Sequence, residues 1–237
     1  MGTPSRRVRF ALLAAGLGTA VAVVAPAPAS AAMTAGQPPA QLFTCWASPL
    51  TLTTGGMPGR ATHHGCVDGQ VAAATGAHTV GRLQVQAVDA KGSTARTTGT
   101  AGAAGAAATT EGAIATASAG SARIVLGANV VEFGAIVAEA TVTCTYDANR
   151  ARFTFAGRSS VASVRVNGRP VAVRAGPNEI RVGGGVLRLN HAEVTATALT
   201  QHAVMFDTAR AHLVLGESGV AIAPGAGNPC RPGSGTP

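Results

Sequence analysis

Aromatic side chains are scarce in this chain, whose 237 residues include six Phe, one Trp and one Tyr. Charged residues make up only 12%, and Lys91 is the single lysine, so arginine carries nearly all of the positive charge. With so few large side chains, the interior must be packed from many small ones, which favours sheet against sheet. The low charge and the β-branched content argue against wholesale disorder.

Long apolar runs are also missing, apart from residues 10–24, which follow an arginine-rich start. The small residues Ala-Ser-Ala at 29–31 then form a cleavage site, so we expect residues 1–31 to be a signal peptide and the protein to be secreted. The apolar run is too short to leave a transmembrane anchor in the mature chain. The Arg6-Arg7 pair leaves open export by the twin-arginine route instead of the general one.

Acidic residues are fewer than basic ones, at 10 against 18. Removing residues 1–31 takes away three arginines and no acid, which lowers the formal net charge from +8 to +5. No basic cluster or set of stacking aromatics points to nucleic acid, so we expect none as a partner. Dispersed, solvated arginines are the favoured interpretation, although an arginine surface also suits an anionic cell-wall polymer.

Four cysteines lie in the expected mature chain, namely Cys45, Cys66, Cys144 and Cys230. An even number in an oxidising compartment indicates two disulfides, for which four cysteines allow three pairings. We expect Cys45–Cys66, a local loop, and Cys144–Cys230, which would tie a central strand to the C-terminal segment.

A metal site is the alternative use of some of these residues. His63 and His64 precede Cys66, but a second ligand pair at regular spacing is missing. His191, His202 and His212 lie near predicted strand ends, where two could meet around a metal ion. Isolated histidines on polar faces are the favoured interpretation, so we predict neither a metal nor another cofactor.

Alternation of apolar and polar residues predicts strands through most of the chain. Residues 80–89 have one apolar face, and residues 136–146 place Cys144 on the apolar face of the clearest strand. Residues 91–120 are almost entirely Ala, Gly, Ser and Thr, and their glycines and threonines favour strands over a helix.

Turn signals divide the rest into short strands. The Asp-Ala-Asn turn at 147–149 predicts one hairpin, and Asn167-Gly168 between β-branched runs predicts another, with Pro170 restricting its second strand to a sheet edge. Further strands are predicted at 179–182, 186–190, 193–199 and 209–215. Short strands at this spacing predict an all-β fold, an antiparallel β-sandwich that is Ig-like or jelly-roll-like.

The sandwich domain is expected to cover residues 80–223. Residues 32–79 carry Pro, Gly, Thr and His with little periodicity, so we expect an irregular segment stapled by the first disulfide, with Trp46 packed over it. Residues 224–237 are expected to form a flexible tail.

The region from about 80 to 215 resembles the choice-of-anchor P proteins of actinobacteria. The matching segments are 140–144 (ATVTC), 160–171 (SVASVRVNGRPV), 176–178 (GPN), 185–190 (GVLRLN), 193–199 (EVTATAL) and 209–213 (ARAHL). The resemblance implies a secreted β-rich domain whose relatives end in various surface anchors, without an established activity or catalytic residues. Residues 225–237 have neither a hydrophobic tail nor a sorting motif, so we expect release or non-covalent retention in the cell wall.

Catalytic signatures are weak. Ser218 lies in Gly-Glu-Ser-Gly at 216–219, which superficially resembles a serine-protease motif, but a turn after the last strand explains these residues equally well. Ten acids and few aromatics give little support for a glycosidase. The leading hypothesis is a non-enzymatic module that binds an envelope polymer or another surface protein. The alternative is a secreted hydrolase, with Ser218, His212 and Asp207 as its first candidate residues.

Overall fold

The computed structural model describes residues 42–54, 64–103, 106–147 and 150–224. The expected signal peptide and nearly all of the expected tail lie outside these ranges, as does His63 of the metal alternative. The described residues contain no helix and form the following strands: β1 (Phe43–Thr54), β2 (His64–Gly65), β3 (Gly69–Ala73), β4 (Gly76–Val80), β5 (Leu83–Val88), β6 (Lys91–Ala103), β7 (Ala106–Ala119), β8 (Ser121–Leu126), β9 (Asn129–Phe133), β10 (Ile136–Asp147), β11 (Arg150–Val161), β12 (Val164–Val166), β13 (Arg169–Val171), β14 (Asn178–Val182), β15 (Gly185–Val194), β16 (Ala198–Asp207) and β17 (Ala211–Ile222).

These strands form three antiparallel sheets. Sheet A has the order β14-β15-β16-β17-β1-β2, sheet B the order β11-β10-β7-β6-β3, and sheet C the order β13-β12-β9-β8-β5-β4. The expected all-β, antiparallel sandwich is confirmed.

Sheets B and C are two halves of one bent layer. Each strand of sheet B is joined by a short connection to one strand of sheet C. The joined pairs are β3–β4, β5–β6, β7–β8, β9–β10 and β11–β12. Backbone bonds hold the bend, since the N–H of Gly120 donates to the carbonyl of Val88 and that of Gly134 to Ser163, both at 2.9 Å.

The core lies between this layer and sheet A. Large residues fill the half between sheets A and C, including Leu83, Ile124, Phe133, Leu187, Phe206 and Leu213. Small residues fill the half between sheets A and B, including Ala113, Ala115, Ala117, Ala140 and Val142. A β-carbon at Gly92 of β6 would collide with the Ala47 carbonyl of β1, so the two sheets approach closely where the side chains are small.

Sheet A is interrupted at one level by a row that we call the waist: Asn190, Ala203, Gly216 and Pro49. The residues on either side keep a constant register, but regular pairing is broken at these four. Asn190 and Gly216 have positive φ, 56° and 68°. The inward-facing residues of β17 therefore change from odd to even numbers, from Leu215 to Ser218.

The waist explains why one expectation is wrong. Residues 32–79 were expected to be irregular, yet β1 pairs with β17 along almost its whole length and lies inside sheet A. Its alternation changes phase at Pro49, because the inward-facing residues are odd before the waist and even after it. These inward-facing residues are Phe43, Cys45, Ala47, Leu50 and Leu52.

Other local predictions are confirmed. Asn167 and Gly168 have φ of 51° and 77°, as a type I′ turn requires, and join β12 to β13. Pro170 lies in β13, an edge strand of sheet C. Residues 91–120 form the long strands β6 and β7, and β10 pairs with β11 as the predicted hairpin does.

Two strand boundaries differ from the sequence prediction. Residues 193–199 do not form one strand, because β15 ends at Val194 and β16 begins at Ala198. Residues 216–219 are not a turn after the last strand, because β17 continues through them to Ile222. Gly216 interrupts the apolar alternation of β17, which makes the sequence resemble a turn.

Of the two predicted disulfides, only the first has both of its cysteines among the described residues. Cys45–Cys66 is confirmed and links β1 to the segment after β2. Cys144 is also disulfide-bonded and fully buried on β10, as expected. Its expected partner, Cys230, lies outside the described residues.

Candidate functional site

A cavity of about 740 Å³ opens at one end of the sandwich, and we call it the mouth pocket. Four turns surround it: residues 81–82 and 127–128 of sheet C, and residues 183–184 and 208–210 of sheet A. The pocket therefore lies between the two layers, where turns rather than strands set the chemistry. Its apolar lining includes Val80, Leu83, Leu126, Ala128 and Ala211.

Two exposed arginines, Arg82 and Arg210, approach this pocket from opposite layers. The hydroxyl of Thr208 accepts bonds from the backbone N–H groups of Arg210 (3.3 Å) and Ala211 (2.9 Å), which fixes that turn. Arg82 follows Gly81, whose φ of 59° allows a two-residue turn. Among the described lining residues there is no Asp or Glu. The mouth pocket is therefore positively charged and open to an anion.

A second polar group lies on the outer face of sheet A, the face turned away from sheets B and C. Arg188 contacts Glu179 at 3.5 Å and also bonds one carboxylate oxygen of Asp207. The other oxygen of Asp207 bonds Nδ1 of His212, its cross-strand partner. These four residues form one ion-pair network across four adjacent strands.

Ser218 does not join Asp207 and His212. It lies six residues from His212 on β17, about 20 Å at the usual rise of a strand. It also faces inward and is fully buried, opposite Ala47 and Gln201. Of the three residues of the hydrolase hypothesis, the structure brings together only Asp207 and His212.

A third polar group lies on the same outer face, on the other side of the waist. We call it the histidine–acid row, and it consists of Trp46, Glu217, His202, His191 and Glu193. His202 is the cross-strand partner of both His191 and Glu217. Trp46 lies on Gly219, its own cross-strand partner, and not over the disulfide, because Cys45 points to the opposite face.

Burial determines the ionisation of this row. It raises the pKa of the Glu217 carboxyl to about 7, although a hydrogen bond from Trp46 acts in the opposite direction. Burial also lowers the pKa of His202, and the nearby Glu193 carboxylate opposes that change. Both buried groups therefore favour their neutral forms.

Donor groups for a metal ion do not form a closed set in this structure. Within the described ranges, no three His, Cys, Asp or Glu side chains are close enough together to enclose an ion as they stand. The His64–Cys66 alternative is excluded, because Cys66 is in a disulfide.

The chain matches no family model, no curated protein and no solved structure. No relative therefore assigns a role to the mouth pocket or to the histidine–acid row. In the described part of the chain there is also no helix long and apolar enough to cross a membrane.

The sequence indicated only part of these two groups. It placed His191 and His202 among three histidines of which two could meet, and the structure brings these two together as stacked cross-strand partners, so the expectation of isolated histidines is wrong for this pair. Arg82 and Arg210 are 128 residues apart in the sequence, and they line one pocket only because two turns from different layers lie at the same end of the sandwich. Glu217 was hidden because the waist changes which residues of β17 face outward. The available signal for the change of phase was Gly216, a glycine inside an otherwise apolar strand.

Proposed function

We propose that this chain is an exported, non-enzymatic binding module of the cell envelope that holds an anionic polymer at the mouth pocket. The observation that carries the proposal is the pair of exposed arginines, Arg82 and Arg210, facing one cavity without an acidic neighbour in its described lining. A guanidinium group binds phosphate through two parallel hydrogen bonds. A polymer with phosphate groups along an uncharged backbone fits a pocket with a charged rim and an apolar wall.

Export is supported by features outside the pocket. The Cys45–Cys66 bond and the disulfide at Cys144 are typical of an oxidising compartment. The leader-like residues 1–31 and the resemblance to choice-of-anchor P proteins agree with secretion and with a surface role.

The test is retention of the purified, disulfide-bonded chain on isolated cell walls at low and raised salt. We expect binding at low salt that weakens as salt rises, because ions screen exposed charges. The double variant Arg82→Gln/Arg210→Gln should bind at least about tenfold more weakly. Arg158→Gln is the matched control, because Arg158 is exposed on β11, where it pairs with Glu139. No retention at low salt, or full retention by the double variant, would refute the proposal.

Walls stripped of phosphate-containing polymers separate the polymer from a protein partner. Loss of binding on stripped walls supports the polymer. Equal binding before and after stripping assigns the retention to another surface component and overturns the proposal.

A further inference from the structure

Three side chains of the histidine–acid row point to one place on the outer face of sheet A. His191 and His202 are cross-strand partners, and their rings are stacked with centroids 6.2 Å apart and planes 25° apart. Glu193 follows His191 by two residues on β15, so it lies on the same face. Oε1 of Glu193 is 3.7 Å from Nε2 of His202 and 4.0 Å from Nε2 of His191.

His202 is the group in this cluster that needs a partner. Its side chain is only 9% exposed, and neither ring nitrogen has a hydrogen-bond partner within the described part of the chain. A buried polar group without a partner is costly, and native structures rarely leave one. Its Nε2 atom lies 3.7 Å from Oε1 of Glu193, so a metal ion held between these two atoms would give it a partner.

We propose that His191, Glu193 and His202 bind a divalent transition-metal ion of the zinc class. Two imidazoles and one carboxylate form a donor set that zinc accepts, and oxygen-preferring magnesium and calcium do not. Two residues at positions i and i+2 of one strand, with the cross-strand partner of the first, converge on one point above a sheet.

Coordination requires all three side chains to move closer together. The two rings must approach each other, because their centroids are 6.2 Å apart and would be about 5 Å apart around one tetrahedral ion. Tetrahedral zinc, with bonds of about 2.0–2.1 Å, holds its donors about 3.3 Å apart. The separations of 3.7 and 4.0 Å must therefore shorten by about 0.4 and 0.7 Å. Glu193 and His191 can supply these movements, because their side chains are 59% and 39% exposed and Glu193 lies one residue from the end of β15.

Glu217 lies on the other side of the His202 ring, near Nδ1. Its Oε2 is 4.0 Å from Nδ1, and the carboxyl accepts a hydrogen bond from the Trp46 indole. At 4.0 Å the contact between Glu217 and His202 is not a hydrogen bond, so Nδ1 as well as Nε2 lacks a partner within the described residues.

The remaining coordination position faces solvent. The side chains of His191 and Glu193 are 39% and 59% exposed, whereas His202 forms the buried side of the site. The fourth ligand is then a water molecule or an atom of a bound partner, which is the arrangement of an open zinc site and not a closed structural one.

The test is calorimetric titration of the full chain, without a polyhistidine tag and after chelator treatment, with zinc chloride. We expect saturable binding of one ion. His191→Ala, His202→Ala and Glu193→Gln should each weaken zinc binding at least about tenfold, since even outer partners of metal ligands contribute 10–100-fold. His212→Ala is the control, because His212 lies on the same face beyond the waist and bonds Asp207. It should bind zinc within about twofold of the unmodified chain.

A second measurement covers the case in which His202→Ala fails to fold. Nitrogen NMR of the histidine side chains in the unmodified chain should show zinc-dependent shifts at Nε2 of His191 and His202, and none at His78 or His212. The absence of saturable binding would overturn the proposal. Binding that survives both His191→Ala and Glu193→Gln, or that shifts other histidines instead, would also overturn it.

Discussion

The indole ring of Trp46 occupies the space that a β-carbon at Gly219 would fill. The two residues are cross-strand partners on β1 and β17, and a β-carbon at Gly219 would overlap ring atoms Cε2 and Cζ2. The absence of a side chain at Gly219 lets the ring lie flat on the sheet and donate its N–H to Glu217. This one contact connects the packing of the outer face with the ionisation of the histidine–acid row.

Gly219→Ala should displace the indole of Trp46. We expect the free energy of unfolding to fall by about 1–3 kcal/mol, the usual cost of overpacking. Because Trp46 is the chain's single tryptophan, its fluorescence reports the displacement directly. Gly120→Ala is the control, since its β-carbon would meet its nearest neighbour at an ordinary 3.5 Å. Unchanged emission in the Gly219 variant would contradict this arrangement.

Strand identity could be predicted from the sequence wherever one face stays buried along the whole strand. In β5 the residues Leu83, Val85 and Ala87 alternate with exposed partners without interruption, and the prediction is confirmed. The same holds for the inward face of β10, from Ile136 to Cys144. Local turns were equally readable, because Asn167-Gly168 needs no tertiary information.

The waist, the mouth pocket and the position of Glu217 could not be predicted, because each depends on contacts between distant parts of the chain. A positive φ at Gly216 or Asn190 is permitted by the sequence but not required by it. Once the phase of β1, β16 and β17 changes at the waist, Glu217 moves to the outer face and Ser218 to the core. Ser218, which the sequence analysis assigned either to a protease-like motif or to a turn, is therefore buried.

Glu217 should make the stability of the metal-free protein depend on pH. Its carboxyl has a pKa of about 7 in the fold and an ordinary value of 4.5, so between these values the folded state holds a proton that the unfolded state has lost. Stability contributed by the neutral form therefore falls as pH rises from about 4.5 to 7. Glu217→Gln should remove this fall, which is on the order of 3 kcal/mol.

His202 changes the pH dependence of stability in the opposite direction. The lowered pKa of His202 means that the unfolded state gains a proton first as pH falls, so stability decreases below the ordinary histidine value. The Glu193 carboxylate raises the pKa of His202 and so reduces this effect, whereas His191 and His212 lower that pKa further. Denaturant unfolding with chelator at pH 5, 6, 7 and 8 separates the two residues. The Glu217→Gln profile should rise with pH, and a profile parallel to that of the unmodified chain would refute the assignment.

The last prediction compares two glycines that have similar backbones and different surroundings. Gly216 has φ of 68°, and its β-carbon would lie 3.1 Å from Cγ2 of Ile136 and 3.3 Å from Cβ of Ala203. Gly168 has φ of 77° and no atom within 4 Å of that position. Gly168→Ala therefore measures the backbone strain alone, which we expect to be about 1 kcal/mol. Gly216→Ala adds the steric conflict at the waist and should cost on the order of 2–3 kcal/mol in denaturant unfolding. If both substitutions cost the same, Ile136 and Ala203 yield freely, and the change of phase in β17 is set by backbone conformation alone.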